Sequence, residues 1–280
     1  MASKFRWNTS VKITKKLKMN YKWSFIIRTG GRDFFIEDLM YNLRTDDISI
    51  YEGGDEETGS LTYYFTSIHL NHLTEPLDIY DKALQLTFLA NAIELLIQEN
   101  KNNAYFIELE RLIDVENNSP IFINQTKRPT VLDIDFTINE TNKTTKRHIV
   151  SRIIELAKTE EFIRNILFII SEGMTFISMY RALDEIKYFL KSNGDNLDNL
   201  GFPKKGLIND FTHTANNYQS LGLKARHGST GHRPPEEPMN ISDAQKLLTD
   251  IIKTIFIKYY GIDIPEKKDK KFNVSDLFDK

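Results

Sequence analysis

Residues Arg147 to Lys191 read RHIVSRIIELAKTEEFIRNILFIISEGMTFISMYRALDEIKYFLK. Their apolar residues recur three and four apart, the period of helices, and the stretch divides into windows at Arg147 to Lys158, Glu160 to Ser171 and Met174 to Lys191. In the last window Ile177, Tyr180, Ala182, Leu183, Ile186 and Leu190 make an inward stripe, and Asn193-Gly194 stops the helix. Downstream, the pattern predicts a helix from Leu207 to about Asn217. The clearest helix follows, in which Ala244, Leu247, Leu248, Ile251, Ile252, Ile255, Phe256 and Tyr259 obey the i, i+3, i+4 rule. Ser242 and Gln245 have capping-box spacing at its start. The C-terminal half therefore reads as a helical bundle, with apolar faces that suggest a homodimer.

Upstream the period is that of strands. Trp23 to Arg28 (WSFIIR), Ile48 to Tyr51 (ISIY) and Leu61 to Leu70 (LTYYFTSIHL) are β-branched and aromatic, and Gly30-Gly31 and Gly53-Gly54 suit turns. Ala104 to Leu112 and Val131 to Ile138 extend the sheet, the second with Asp133 and Asp135 on a wet face. Between the two groups a long helix is predicted from Leu77 to Gln98, with Thr74 as its cap and Pro76 in its first turn, where a missing N–H costs little. Its apolar positions are Tyr80, Ala83, Leu84, Phe88, Ile93, Leu96 and Ile97, and Asn91 reads as a core polar group with its hydrogen bonds satisfied. The polar runs Glu116 to Ser119 and Asn139 to Thr145 are the linker candidates. The chain is expected to be α+β: an N-terminal antiparallel sheet with one long helix over residues 1–142, a helical bundle over 143–262, and a charged tail over 263–280.

The 280 residues carry 37 Lys+Arg against 39 Asp+Glu, a net charge of −2, which excludes a strongly basic nucleic-acid coat protein. With 40% hydrophobic residues the chain buries a core rather than staying disordered. The absence of Cys removes disulfides, thiolate zinc sites and cysteine nucleophiles, and fits a cytoplasmic location. The N-terminus has no apolar segment after its positive charges, and no apolar run reaches the ~20 residues of a membrane span, so neither export nor membrane insertion is expected.

The densest chemistry lies in FTHTANNYQSLGLKARHGSTGHRPPEEPM, Phe211 to Met239, which contains His213 and sets Arg226, His227, His232 and Arg233 in a Gly- and Pro-rich loop before the final helix. A metal site is not expected: no H-E-x-x-H spacing is present, and Arg226 and Arg233 would repel a divalent cation. Ser229, in G-S-T-G, lacks the setting of a hydrolase nucleophile. An adjacent Arg and His can instead act on a phosphodiester, Arg binding the phosphate while His exchanges protons with a ribose hydroxyl or leaving oxygen, and no cofactor is required. The plainer reading is a surface loop whose Arg and His pair with Glu236, Glu237 or Asp243. A second nucleic-acid candidate is the N-terminal strip of Lys12, Lys15, Lys16, Lys18 and Lys22 interleaved with Trp7, Tyr21 and Trp23, which equally reads as an edge strand protected by Lys.

The segment Arg226-His227-Gly-Ser-Thr-Gly-His232 before a final helix resembles the Arg/His motif of the HEPN superfamily (higher eukaryotes and prokaryotes nucleotide-binding). Met179 to Lys187 (MYRALDEIK), Phe211 to Asn216 (FTHTAN), Ala225 to Gly228 (ARHG) and Pro234 to Ala244 (PPEEPMNISDA) resemble abortive-infection relatives, over roughly the C-terminal third. The resemblance implies a helical bundle, dimerisation that brings two motifs together, and metal-independent RNA cleavage in a bacterial anti-phage defence or toxin system, with a companion protein in some cases. It implies that Arg226 binds the scissile phosphate, that His232 transfers protons with His227 in support, and that Glu185 is a nearby acid. Arg233, His213, Asn216 and Tyr180, in the same segments, are the candidates for binding substrate. The resemblance equally implies members that only bind a nucleotide or a partner protein.

Overall fold

The computed structural model describes residues 21–28, 36–37, 39–40, 48–54, 61–98, 101, 106–123, 149–171, 173–228, 231 and 233–266. The chain is α+β. It divides into two compact units, residues 1–90 with 107–158 and residues 91–106 with 159–280.

Among the described residues the first unit has five antiparallel strands: β1 (Trp23–Ile27), β2 (Ser49–Gly54), β3 (Leu61–Thr66), β4 (Leu109–Asp114) and β5 (Ser119–Ile121). They lie in the order β2-β3-β1-β4-β5. β1 is central, with Phe25 opposite both Phe65 of β3 and Leu112 of β4. The register slips between Ile26 and Ile27. Alternation puts Trp23, Phe25 and Ile27 on one face, and all three are buried. Phe25 meets Tyr80 of helix α1 (Pro76–Ile97) edge-on at 6.0 Å, and the Trp23 indole N–H donates to the Leu73 carbonyl at 3.0 Å. On the other face Tyr51 stacks on Tyr64 at 5.0 Å, and the Tyr51 and Ser24 hydroxyls are 2.9 Å apart. Burial pushes the Tyr51 phenol well above its ordinary value.

The polar run Glu116 to Ser119 is not a linker but the hairpin turn joining β4 to β5. Asp114 folds the turn by accepting from the backbone N–H groups of Glu116 and Asn117 at 3.0 and 3.1 Å, and Asn118 takes a positive φ of 49°. Burial raises the Asp114 carboxyl, but the bonds from the Asn117 side chain and the two N–H groups outweigh it and hold the carboxyl below its ordinary value. The strand expected over Ala104 to Leu112 forms at Leu109–Asp114. The expected strand at Val131 to Ile138, Gly30-Gly31 and Lys12 to Lys18 lie outside the described residues. α1 starts at Pro76, so Glu75 precedes it and Thr74 stands one residue further back. Every residue from Gln85 to Gln98 is buried, on all sides of the helix. Helix α2 (Ile149–Thr159) also falls in the first unit as far as Lys158.

The second unit contains helices α3 (Glu161–Ile170), α4 (Phe176–Ser192), α5 (Asn209–Asn216), α6 (Tyr218–Leu221) and α7 (Ile241–Tyr260). Its core holds Ala182, Leu183, Ile186 and Leu190 of the stripe expected on α4, joined by Met179, against Leu248, Ile251, Ile252, Ile255 and Phe256 of that expected on α7, each at most 2% exposed, while Ile177 and Tyr180 are only partly buried. Thr175 caps α4 in a capping box with Ser178. The cap of α7 lies two residues before the expected one. Asn240, not Ser242, is its N-cap, and its side chain accepts from the Asp243 N–H at 2.9 Å. Just past the end of α4, Asp195 accepts from Lys258 Nζ and the Tyr259 hydroxyl of the last turn of α7, each at 2.6 Å. Those bonds, with Asn199 and the Asn196 N–H, hold its carboxyl well below the usual carboxylate range. Burial, reinforced by Asp195, pushes the Tyr259 phenol up to about 12.

Candidate functional site

Tyr180 and Asp184 stand four residues apart on α4 and so share one face of it. Opposite them runs α5, which starts after a sharp break at Lys205 and Gly206, where Gly206 adopts a φ of +94° open to glycine. α5 is fixed through Phe211, buried and in ring contact with Phe176 and Tyr180 at 6.2 Å each.

α5 also holds the Arg- and His-bearing loop at three points. The Arg226 N–H donates to the Ala215 carbonyl at 2.8 Å, where the loop begins. The Met239 N–H donates to the buried Thr214 hydroxyl at 2.9 Å, where it returns to α7. Between them, His213 Nε2 lies 3.0 Å from the Arg233 carbonyl. A carbonyl only accepts, so this nitrogen carries the proton, and Nδ1 of a neutral ring is left as a lone-pair acceptor. The loop is thus held at its start, middle and end, although its described residues form no regular structure.

Arg226 is the centre of the arrangement. Its guanidinium carbon lies 4.1 Å from the centroid of the Tyr180 ring, a cation–π contact. Its Nη2 is 3.6 Å from Asp184 Oδ2, with the two side chains 35% and 49% exposed. The Asn216 amide Nδ2 donates to the Tyr180 hydroxyl at 3.4 Å, while its buried Oδ1 has no hydrogen-bond partner among the described residues. Four candidates from the sequence, Tyr180, His213, Asn216 and Arg226, therefore gather around α4 and α5, with the backbone of Arg233 attached. The side chains of Arg233 and His227 are exposed. Glu185 looks elsewhere: its Oε1 accepts from Asn165 Nδ2 of α3 at 3.0 Å, and the acid facing Arg226 is its neighbour Asp184. His232 lies outside the described residues.

Asp184 and Thr214 are the residues that sequence reasoning missed. The i, i+4 spacing of Tyr180 and Asp184 inside MYRALDEIK was the available signal for the first. Among the described residues no group of three or more His, Cys, Asp or Glu is placed to hold a metal ion, and no helix is long and apolar enough to cross a membrane. The crevice between α4, α5 and α7, lined by Leu183, Phe211, Leu248 and Ile251 among others, is wholly apolar and serves packing.

The unpartnered Asn216 Oδ1 is buried, so what the site offers chemically is one arginine seated over an aromatic ring and an imidazole of defined tautomer. That set suits a phosphate ester attached to a flat, hydrogen-bonding base. No family model matches the sequence, and neither a curated protein nor a solved structure matches it.

Proposed function

We propose that the chain is a metal-independent endoribonuclease-type effector of a bacterial anti-phage defence or toxin system, acting as a homodimer with HEPN-like Arg/His chemistry. The single observation that supports it best is the seating of Arg226, which lies 4.1 Å over Tyr180 at the start of a loop tied down by α5. Arginine so held presents its remaining N–H groups in a fixed fork, the arrangement that receives a phosphodiester bidentately. In the reaction a His takes the proton of the ribose 2′-hydroxyl, that oxygen attacks phosphorus, and the 5′-oxygen leaves after receiving a proton. The products are a 2′,3′-cyclic phosphate and a 5′-hydroxyl. His232 is proposed for proton transfer with His227 in support, Arg226 offsets the charge that builds on the phosphate, and His213, Asn216, Tyr180 and Arg233 hold the RNA.

The test is incubation of single-stranded RNA with the purified protein in EDTA, followed by analysis of the product ends. Cleavage to 2′,3′-cyclic phosphates by wild type, lost in Arg226→Ala and His232→Ala proteins of unchanged melting temperature, is the expected result. Products with 3′-hydroxyl ends, or activity that needs a divalent ion, would overturn the mechanism. A second reading, a non-catalytic module that binds a nucleotide or a partner protein, is favoured by one observation: Glu185, the implied acid, is engaged with Asn165 instead of the loop. Binding of RNA without cleavage, abolished by Arg226→Ala, would establish it.

A further inference from the structure

We infer that Asp184 is a built-in counter-ion of Arg226 which an incoming RNA phosphodiester displaces; the inference rests on the reading of Arg226 as a phosphate-binding residue. Two contacts hold the guanidinium, and they differ in kind. The Tyr180 contact is a cation–π one, with the guanidinium carbon 4.1 Å from the ring centroid, and uses none of the guanidinium N–H groups in a hydrogen bond. The Asp184 contact is at an edge, where a phosphate would bind, and its 3.6 Å separation is beyond hydrogen-bond range. It is therefore a charge attraction without a directional bond, between side chains 35% and 49% exposed to water. Pairs of that kind are weak and screened by salt.

A phosphodiester offers Arg226 what Asp184 does not. It brings two oxygens at bidentate spacing and charge-assisted bonds of about 2.7–2.9 Å. The aspartate then swings into water at small cost, since half of its side chain is already there. In the empty site it neutralises the arginine and competes with anions. The ring contact with Tyr180 is untouched by the exchange, so the guanidinium keeps its seat while its partner changes.

The test is equilibrium binding of a 2′-O-methyl single-stranded oligonucleotide, which has no free 2′-hydroxyl to react, to wild type, Asp184→Asn, Arg226→Ala and the double variant over a range of salt. Removing the competitor should tighten binding about two- to five-fold, the range of a weak exposed pair. The slope of log affinity against log salt should steepen, because an additional phosphate charge is neutralised by a bare cation. In the Arg226→Ala background the same change should have no such effect. Unchanged or weakened binding by a stably folded Asp184→Asn protein would overturn the counter-ion role while leaving the phosphate reading intact. Equal binding by wild type and Arg226→Ala would overturn both.

Discussion

Arg226 is held at its side chain by Tyr180 and Asp184 and at its backbone by Ala215, so its position depends on separate parts of the site. The ring matters more than the hydroxyl, because the 3.4 Å bond from Asn216 is long and the cation sits over the ring face. We therefore expect Tyr180→Phe to leave RNA affinity and melting temperature nearly unchanged and Tyr180→Leu to weaken RNA binding, both read by fluorescence titration. Thr214 carries a different load. It is fully buried, and its hydroxyl receives the Met239 N–H, so Thr214→Val leaves that donor unpaired and should cost about 1–3 kcal/mol in urea unfolding. A Thr214→Ser protein should recover most of the loss. Here the limit of sequence reading is one of helix phase. Asp184 and Glu185 are chemically alike and adjacent, and only the ~100° turn per residue of α4 sends one to Arg226 and the other to Asn165.

At the scale of elements, the cap of α7 separates two adjacent candidates. Asn240 supplies the bond to the Asp243 N–H, so Asn240→Ala should lower stability by about 1 kcal/mol while Ser242→Ala changes little, as measured by thermal melting. The stripe of α7 was legible because its apolar residues keep strict spacing. Its start was not, since Asn240, Ser242 and Asp243 are all good caps and tertiary packing chose among them. The hairpin of β4 and β5 escaped notice for a related reason: a three-residue strand, Ser119–Ile121, has too few residues to show alternation. Just past the end of α4, Asp195 makes a pH-dependent link to the last turn of α7. A carboxyl held below its ordinary value stabilises the fold above the unfolded value of about 4, and that contribution disappears as pH falls through the folded value. Asp195→Asn should therefore melt lower than wild type at pH 7, with the difference shrinking on acidification below about pH 4. The Tyr259 phenol, raised to about 12, contributes in the opposite sense, from below pH 10 until pH rises past the folded value.

In the whole molecule, the strand-rich first part and helix-rich second part were plain from the change of period. The burial of α1 was not. Asn91 reads from the sequence as a core polar group, and it is buried, but Gln85, Thr87, Glu94 and Gln98, which carry no such signal, are buried as well. Local bonds account for part of this: the Thr87 hydroxyl donates to the Leu84 carbonyl at 2.8 Å, the Gln98 amide to Glu94, and the Lys101 ammonium to the Gln98 carbonyl, while Gln85 Oε1 has no hydrogen-bond partner among the described residues. Burial, with Lys253 next in weight, pushes that ammonium down to about 8. A helix enclosed on every side tolerates truncation badly, so Leu96→Ala, at a fully buried position, should cost about 2–5 kcal/mol in chemical denaturation. The candidate site was legible as a set of residues in four short segments, but its wiring was not, because α5 ties the loop through the Ala215 carbonyl, the His213 ring and the Thr214 hydroxyl, each to a backbone group of the loop that no side-chain motif records. The central claim, that Arg226 on Tyr180 receives an RNA phosphate, is tested most directly by the affinity of a single-stranded RNA in EDTA for wild type and Arg226→Ala at two salt concentrations. The account expects salt-sensitive binding that weakens at least about ten-fold and loses part of its salt slope in the variant; equal affinity and equal slope in the two proteins would contradict it.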